Sequence, residues 1–309
     1  MIRRMSEPND LVERPVAFLS GGCELRGVLT APGGAGSLQG HVLCHGFLCT
    51  AAMGLPGIAQ LLAAEGFAVL RFDYSGFGDS AGEPRGELWP ERQSGDALAA
   101  VTSLRAQPEC DPRRIALWGT SFGGAVVLHA AAHDPGVNAV IASVPVTNGE
   151  SWIRGVNSAE QWAALQQRLA GDRERRAAGA PAEVVAVGEV RPAPPLLDPD
   201  RDAFFARYAA AAPPRELSLA CVEAVLAFAP DALAGRIAPR PLLLIAAPDD
   251  AIVPLAQAES AFCHAGEPKR LVLLPPGVSH FAVYDGAPRA RIVAETASFL
   301  RDLGRLRGG

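Results

Sequence analysis

The 309-residue chain lacks a long uninterrupted apolar run, because arginine, aspartate, glutamate or proline breaks each run well short of a membrane span. It also lacks an excess of positive charge: the formal net charge is −5, and no basic stripe for nucleic acid is present. The opening residues, MIRRMSEPND, carry two arginines with no apolar stretch behind them, so they do not resemble a secretory signal. We therefore expect a soluble cytoplasmic protein that binds neither nucleic acid nor a membrane.

Sequence signals for metal sites and disulfides are also missing. None of the six cysteines forms a C-x-x-C pair, and no internal repeat is visible. Scattered cysteines of this kind are typical of small buried apolar residues in a reducing compartment. We expect no metal and no cofactor. The cysteines are Cys23, Cys44, Cys49, Cys110, Cys221 and Cys263.

What the sequence does contain is an alternation of strand and helix signals. Short apolar stretches recur along the chain, and helical stretches separate most of them. This alternation predicts an α/β fold, with a mostly parallel central sheet, helices on both faces and an antiparallel pair at its start. The strand signals fall at 16–20, 25–31, 41–45, 68–74, 114–118, 139–144, 241–247 and 270–274, and the clearest helical ones at 57–65, 94–106, 255–264 and 289–306.

The alternation breaks in the middle of the chain. From Thr147 to about Ala229 the sequence has no strand periodicity. We interpret residues 147–229 as a lid inserted into an α/β core that is formed by residues 1–146 and 230–309. Within the lid, helices are predicted at 157–179 and 201–211, and a proline-rich loop, RPAPPLLDPD, at 191–200.

The predicted lid is rich in aromatic residues, although the whole chain is only 6% aromatic. One interpretation is that these side chains pack the lid onto the sheet. The other is that some of them line an apolar substrate pocket beneath it, and both can hold for different members. The set is Trp152, Trp162, Phe204, Phe205, Tyr208 and Phe228, from which we take Trp152, Trp162, Phe204 and Tyr208 as candidate pocket residues.

The pattern G-x-S-x-G occurs twice, as GDSAG around Ser80 and as GTSFG around Ser121. A nucleophilic serine in this pattern sits on a sharp turn between a strand and a helix. Ser121 follows the apolar run 114–118 and precedes an Ala-, Val- and Leu-rich stretch with no breaker until Pro135. Ser80 instead lies in a Gly-rich stretch that is closed by Pro84. We therefore predict Ser121 as the nucleophile and Ser80 as a loop residue.

A serine hydroxyl needs a base to take its proton, and the base needs an acid to fix its tautomer. Two loops that follow apolar strands supply the candidates: PDDAIVP contains Asp249 and Asp250, and GVSHFAVYDG contains His280. We predict His280 as the general base and Asp250 as the acid. Asp249 competes for the acid role, but we expect it to bond the backbone of the turn instead.

The loop LCHGFLCT after the third strand signal is expected to face the same site, because Gly46 lets the backbone turn inward. An oxyanion hole needs backbone N–H groups close to the nucleophile. We predict that Phe47 and Phe122 supply them. The alternative is that HGF is an ordinary glycine turn at the end of a strand.

The sequence resembles the serine α/β-hydrolase superfamily. The resemblance rests on HGF (45–47), DYSGFGDSAGEP (73–84), DPRRIALWGTSFGGA (111–125), PDDAIVP (248–254) and GVSHFAVYDG (277–286). Within the superfamily it is similar to the branch of dienelactone-hydrolase-like, X-Pro dipeptidyl-peptidase-like and acyl-peptidase-like esterases and polyketide-releasing acyltransferases. The resemblance implies the catalytic roles given above and a lid before the acid-bearing strand. It also implies that the Ser80 segment is a conformational loop.

These features predict a cofactor-free serine hydrolase that cleaves an ester, lactone or thioester of a small-molecule acyl substrate. The alternative is an acyltransferase or cyclase, in which another nucleophile replaces water and an acyl-carrier thioester is a natural donor. The run DRERRAAG is a candidate contact for an acidic carrier, although a solvated helix face explains it more simply. A third alternative is a non-catalytic binding module on the same fold, against which the serine, acid and histidine set argues.

Overall fold

The computed structural model describes residues 10–190, 198–211 and 214–307 of the protein. Its strands are β1 (Leu11–Ser20), β2 (Cys23–Pro32), β3 (Leu38–Cys44), β4 (Ala68–Phe72), β5 (Cys110–Thr120), β6 (Ala139–Ser143), β7 (Val184–Ala186), β8 (Glu216–Ser218), β9 (Leu242–Ala246) and β10 (Lys269–Leu273). Eight of them form a central sheet in the order β1-β2-β4-β3-β5-β6-β9-β10. β2 pairs antiparallel with β1 and β4, and every other neighbouring pair in this sheet is parallel. This topology confirms the predicted fold class.

Both faces of the inner strands are buried. In β3, Val42 packs into the core on one face of the sheet, whereas its neighbour Leu43 packs into the core on the other. Leu117 and Trp118 divide in the same way in β5. Strands that are covered on both sides need nearly continuous apolar sequence. That requirement is why these runs could be recognised in the sequence.

Helices cover the sheet on both sides. The helices of this core are α1 (Leu55–Ala64), α2 (Pro90–Arg105), α3 (Phe122–His133), α9 (Leu255–His264) and α10 (Gly286–Arg307). The long helices match the predicted helical stretches. On one face of the sheet, α2, α3 and α9 contribute to the core, and on the other face α1 and α10 do so.

The segment between β6 and β9, called here the intervening segment (residues 147–229), adds five α-helices among its described residues. It also contains the antiparallel pair β7 and β8, where the sequence predicted no strand. Strands of three residues are too short to show an alternating pattern, which explains the difference. Residues 191–197 of the predicted proline-rich loop lie outside the described part of the chain. The helices are α4 (Gly149–Gly155), α5 (Ala159–Ala177), α6 (Val187–Val190), α7 (Arg201–Arg207) and α8 (Leu219–Ala227).

Carboxylates of the intervening segment bind the arginine run of α5. Arg173 and Arg176 contact the carboxylate of Glu223 in α8 at 3.1 and 2.6 Å. Arg175 contacts Glu183 at 3.2 Å. Each of these partly exposed ion pairs stabilises the fold only slightly. Together they direct the arginine run toward its own segment.

The carboxyl ends of β3, β5, β6, β9 and β10 meet at one edge of the sheet, because these strands are parallel. The loops after β3, β9 and β10, together with the turn after β5 and the first residue of α3 (Phe122–His133), contain all the residues predicted for the catalytic set and the oxyanion hole. Open α/β sheets bind their ligands at this edge. Within the described residues, no helix combines the length and apolar character that crossing a membrane requires.

Candidate active site

Ser121 occupies the single residue between the end of β5 and the start of α3. Its backbone has φ 55° and ψ −124°, a conformation that is rare for a residue with a side chain. Neighbouring backbone groups hold it there: the Ser121 N–H donates to the Ser143 carbonyl at 2.9 Å, and the Ser121 carbonyl accepts from Gly124 and Val146 at 2.9 and 3.0 Å. The turn therefore directs the serine side chain away from the sheet, as a nucleophile elbow does.

The glycines of GTSFG are needed because the chain passes close to its neighbours. A Cβ atom on Gly123 would overlap the carbonyl oxygen of Cys44, and one on Gly119 would overlap the carbonyl oxygen of Gly123. The spacing G-x-S-x-G thus lets the start of α3 pack directly against the end of β3. The amino-acid composition alone does not show that these two positions require glycine.

The imidazole of His280 lies between Ser121 and Asp250. Its Nε2 atom is 3.0 Å from Ser121 Oγ, and its Nδ1 atom is 2.7 Å from Asp250 Oδ2. All three residues are buried, with exposed fractions of 6% for Ser121, 3% for His280 and 5% for Asp250. In this arrangement the imidazole can take a proton from the serine while the carboxylate holds its tautomer.

The two adjacent aspartates after β9 have different partners. The other oxygen of Asp250 accepts the N–H groups of Ile252 and Val253, both at 2.8 Å, so that its carboxylate is fixed toward His280. Asp249 is exposed and accepts the N–H of Gly277 at 2.8 Å. The structure therefore brings Asp250, and not Asp249, to the imidazole.

The loop after β3 lies against the serine. A Cβ atom on Gly46 would be 3.2 Å from the Cβ of Ser121, so the peptide that leads into Phe47 runs directly beside the serine. Phe122 is the first residue of α3, a 12-residue helix whose N-terminus carries partial positive charge. The rings of Phe47 and Phe122 pack edge to face with centroids 5.8 Å apart. The backbone N–H groups of these two residues stay the predicted oxyanion donors.

Ser80, the other serine in a G-x-S-x-G pattern, is bonded to the backbone. Its hydroxyl donates to the Asp73 carbonyl at 2.6 Å and accepts the N–H of Arg26 at 2.8 Å. Only 2% of the residue is exposed. Ser80 therefore fixes the loop 73–84 to β2, and its hydroxyl does not face the cavity described next.

A cavity of about 590 Å³ opens beside Ser121 and His280. Its lining is largely apolar, and among the described part of the chain Arg201 and Arg215 are the only arginine, lysine, aspartate or glutamate residues in it. It accommodates an acyl group of moderate size. The apolar and aromatic lining includes Phe47, Leu48, Trp152, Val187, Phe205, Ile252, Phe281 and Tyr284.

Of the candidate pocket residues, Trp152 lines this cavity, where its Nε1–H donates to the Ile252 carbonyl at 2.8 Å. The structure locates the other three elsewhere. Phe204 lies behind the wall, with its ring centroid 5.0 Å from that of Phe281, and Tyr208 packs on Phe204 at the same centroid distance. Trp162 packs against the core from α5. Their aromatic character indicated burial, but it could not indicate which surface each ring covers.

Two groups near the serine have pKa values shifted by burial. Cys49 lines the cavity, and burial raises the pKa of its thiol to about 12, so it stays protonated and does not compete as a nucleophile. Burial also raises the pKa of the Tyr284 phenol, whose oxygen accepts the hydroxyl of Thr120 at 3.1 Å. Among these three residues that line the cavity, Ser121 is therefore the candidate nucleophile.

Sequence reasoning missed Asp198 and Asp200, which contact the loop that carries His280. Asp198 accepts the N–H of Phe281 at 3.1 Å, and Asp200 accepts the hydroxyl of Ser279 at 2.5 Å. Their only signal was the DPD at the end of a proline-rich stretch, which is typical of a turn before a helix. No local pattern reveals a partner 80 residues away.

Comparisons with known proteins agree with this architecture. The sequence pattern of the alpha/beta hydrolase family matches residues 42–295. The quorum-quenching protein AidA of Acinetobacter baumannii (strain MDR-ZJ06) is 30% identical over 266 residues, which cover 84% of this chain and 85% of that protein. Thiohydrolase aneE of Aspergillus aculeatus is 39% identical over 132 residues, 42% of this chain and 41% of that protein.

The solved structure of the alpha/beta hydrolase GrgF from Penicillium sp. sh18 aligns with a TM-score of 0.78 and 26% identity. The alignment covers 94% of this chain and 98% of that one. The resemblance inferred from the five motifs is thereby confirmed. The chain belongs to the alpha/beta hydrolase family.

Proposed function

We propose that the protein is a serine hydrolase that cleaves an ester, lactone or thioester through an acyl-enzyme on Ser121. The observation that carries the proposal is the hydrogen-bond chain from the Ser121 hydroxyl through His280 to Asp250. This chain lies beside a cavity with a largely apolar lining. A buried nucleophile, base and acid in this order have little structural purpose, because an apolar set would pack there at lower desolvation cost.

The proposed reaction has two half-reactions with the same proton path. Ser121 Oγ attacks the acyl carbonyl while Nε2 of His280 takes the hydroxyl proton, and Asp250 stabilises the imidazolium at Nδ1. The tetrahedral intermediate collapses, the C–O or C–S bond breaks, and the imidazolium returns the proton to the leaving alcohol or thiolate. Water then attacks the acyl-enzyme with His280 as base, which releases the carboxylic acid and restores the serine.

The developing oxyanion is assigned to the backbone N–H groups of Phe47 and Phe122. Support comes from the close approach of Gly46 to Ser121 and from the position of Phe122 at the N-terminus of α3. Preorganised backbone donors stabilise charge that appears only in the transition state. The dipole of α3 adds to this field.

The cavity favours an ester-type substrate over a peptide. Among the described residues, its lining includes no aspartate or glutamate that would recognise an amine. Phe47 and Trp152 pack edge to face, with ring centroids 5.3 Å apart, and both offer apolar surface to an acyl chain. The two arginines lie on the part of the lining that the intervening segment contributes.

A second candidate function is acyl transfer. It is supported by the relatives, since the polyketide transferase grgF of Penicillium sp. is 41% identical over 92 residues, 30% of this chain and 31% of that protein. The same acyl-enzyme would then pass its acyl group to an alcohol, an amine or an internal nucleophile. The arginine run of α5 gives this candidate no support as a carrier contact, because Glu223 and Glu183 already bind it.

The test is product analysis with p-nitrophenyl esters and N-acetylcysteamine thioesters of several acyl lengths, in ¹⁸O-enriched water. Hydrolysis predicts a carboxylic acid that carries one ¹⁸O atom, at a rate that is lost in Ser121→Ala. Parallel reactions contain a primary alcohol or amine as a competing acceptor. Transfer products that outnumber the acid would favour the second candidate, and turnover that survives in Ser121→Ala would refute both.

A further inference from the structure

The loop that carries His280 is held by carboxylates from two distant parts of the chain. It follows β10 and contains Pro275, Pro276 and Gly277, residues that favour turns over regular structure. The two aspartates after β9 supply two contacts: Asp249 accepts the N–H of Gly277, and Asp250 binds the imidazole of His280. The intervening segment supplies two more.

Asp198 and Asp200 bind the residues on either side of His280. Oδ2 of Asp198 accepts the N–H of Phe281 at 3.1 Å, and its Oδ1 accepts the N–H of Asp200 at 3.0 Å. Oδ2 of Asp200 accepts the hydroxyl of Ser279 at 2.5 Å. The hydroxyl of the residue before the histidine and the peptide N–H of the residue after it are thus both bonded to one short turn.

Burial distinguishes the two aspartates. Asp198 is 2% exposed, whereas Asp200 is exposed. A buried carboxylate is costly unless it accepts hydrogen bonds, so its two N–H donors are strongly favoured partners. An exposed carboxylate exchanges its partner for water at little cost. Asp198 is therefore the stronger of the two contacts.

The helix that follows Asp198 packs on the same loop. The ring of Phe204 in α7 lies with its centroid 5.0 Å from that of Phe281 and 4.9 Å from that of Tyr284. Arg207, at the end of α7, contacts the carboxylate of Asp285 at 2.5 Å. Asp198 is thus the buried end of a continuous contact between the intervening segment and the histidine loop.

We propose that Asp198 is a positioning residue, which holds the peptide after His280 so that the imidazole stays between Ser121 and Asp250. The inference rests on the function proposed above. It makes the intervening segment part of the catalytic geometry as well as a cover for the cavity. A displacement of about 1 Å at a reacting group costs about 10²-fold in rate, which sets the size of the expected effect.

The test compares Asp198→Ala and Asp198→Asn with the wild type in steady-state hydrolysis of a p-nitrophenyl ester and in the rate of fluorophosphonate labelling. We expect kcat and the labelling rate to fall about 10²-fold in Asp198→Ala, with KM within about twofold. Asparagine keeps one carbonyl oxygen for the two N–H donors. For Asp198→Asn we therefore expect a loss in kcat and labelling rate of about tenfold, between the values for the wild type and Asp198→Ala. Hydrogen exchange at residues 275–285 should accelerate in both variants.

The matched control is Glu160→Ala, which removes an exposed carboxylate from α5 in the same segment and should leave kcat and labelling unchanged. If Asp198→Ala does not fold, Asp198→Asn decides. Wild-type kcat in a folded Asp198 variant would overturn the positioning role, and so would a loss that appears only in KM. A wild-type protein with no Ser121-dependent turnover would instead overturn the proposed function itself.

Discussion

The Nε2 atom of His280 lies 3.0 Å from the Oγ atom of Ser121, although the two residues are 159 positions apart in the sequence. The sheet creates this contact, because β5 and β10 run parallel and end at the same edge. The strained turn at Ser121 and the carboxylates around the His280 loop then fix the two side chains. The proposed catalytic geometry thus depends on contacts that lie outside the three side chains.

The two aspartates after β9 offer a test of the acid role. Asp250→Asn should lower kcat by about 10⁴-fold, because the amide no longer favours the imidazole tautomer that accepts the serine proton. Asp249→Asn changes a residue that binds only the Gly277 N–H in the described structure, so we expect less than about a tenfold loss. Steady-state kinetics on one ester measures both. Equal losses would contradict the assignment of Asp250.

Ser80→Ala should destabilise the protein without changing its chemistry. The Ser80 hydroxyl is buried and bonds both the Asp73 carbonyl and the Arg26 N–H, so its removal should lower the free energy of unfolding by about 1–3 kcal/mol. Thr102→Ala is the control, since this exposed hydroxyl bonds a helix carbonyl and its loss should stay within about 0.5 kcal/mol. Urea unfolding measures the stability. Loss of kcat per folded Ser80→Ala molecule would argue for a direct role in the reaction.

Gly123→Ala should be strongly destabilising. Its Cβ would overlap the carbonyl oxygen of Cys44, which lies in the rigid end of β3, so we expect a loss of about 1–3 kcal/mol in the free energy of unfolding. Gly171→Ala is the matched control: it lies inside α5, and apart from its chain neighbours and the backbone of its own helix no atom is within 4 Å of the added Cβ. That change should stabilise the protein by about 0.5–1 kcal/mol. Thermal or urea unfolding that ranked the two variants in the opposite order would refute the packing argument.

Acid should destabilise the fold through His41. Burial lowers the pKa of this imidazole from 6.5 to about 3, and neither ring nitrogen has a hydrogen-bond partner among the described residues. Between these values the unfolded chain binds a proton that the folded one does not, so stability rises with pH across this window and falls on acidification. Acidification from about pH 6.5 to 4.5 should lower the free energy of unfolding by about 2–3 kcal/mol through His41.

His41→Leu should remove that part of the pH dependence, because the leucine side chain has no titratable group in the folded or the unfolded state. The measurement is urea unfolding of both proteins across the same pH range. Burial also lowers the pKa of His45, which therefore contributes in the same direction in both proteins. Identical pH dependence in the wild type and His41→Leu would contradict the prediction.

The sequence predicted the features that depend on local pattern. The buried strands were recognisable because both faces need apolar residues, and Ser121 was distinguished from Ser80 by the strand before it and the helix after it. His280 and Asp250 could be predicted as its partners, because they lie in loops that follow parallel strands, and such loops share one edge of the sheet. The catalytic roles of these residues stay predictions.

Features that depend on tertiary contact were not accessible in this way. Asp198 and Asp200 bind the His280 loop across about 80 residues, and nothing in the letters DPD specifies that partner. Phe204 and Tyr208 were expected at the cavity, but they pack behind its wall, because an aromatic residue is buried equally well on either side. β7 and β8 are too short for periodicity to reveal them.

The most direct test of the central claim is labelling of the purified protein with fluorophosphonate probes of several sizes, followed by peptide mass spectrometry, in the wild type, Ser121→Ala and Ser80→Ala. An activated serine predicts covalent modification of Ser121 in the wild type and in Ser80→Ala, and none in Ser121→Ala. Absence of modification in a folded wild-type protein, or modification that persists in Ser121→Ala, would contradict the assignment of Ser121 as the nucleophile.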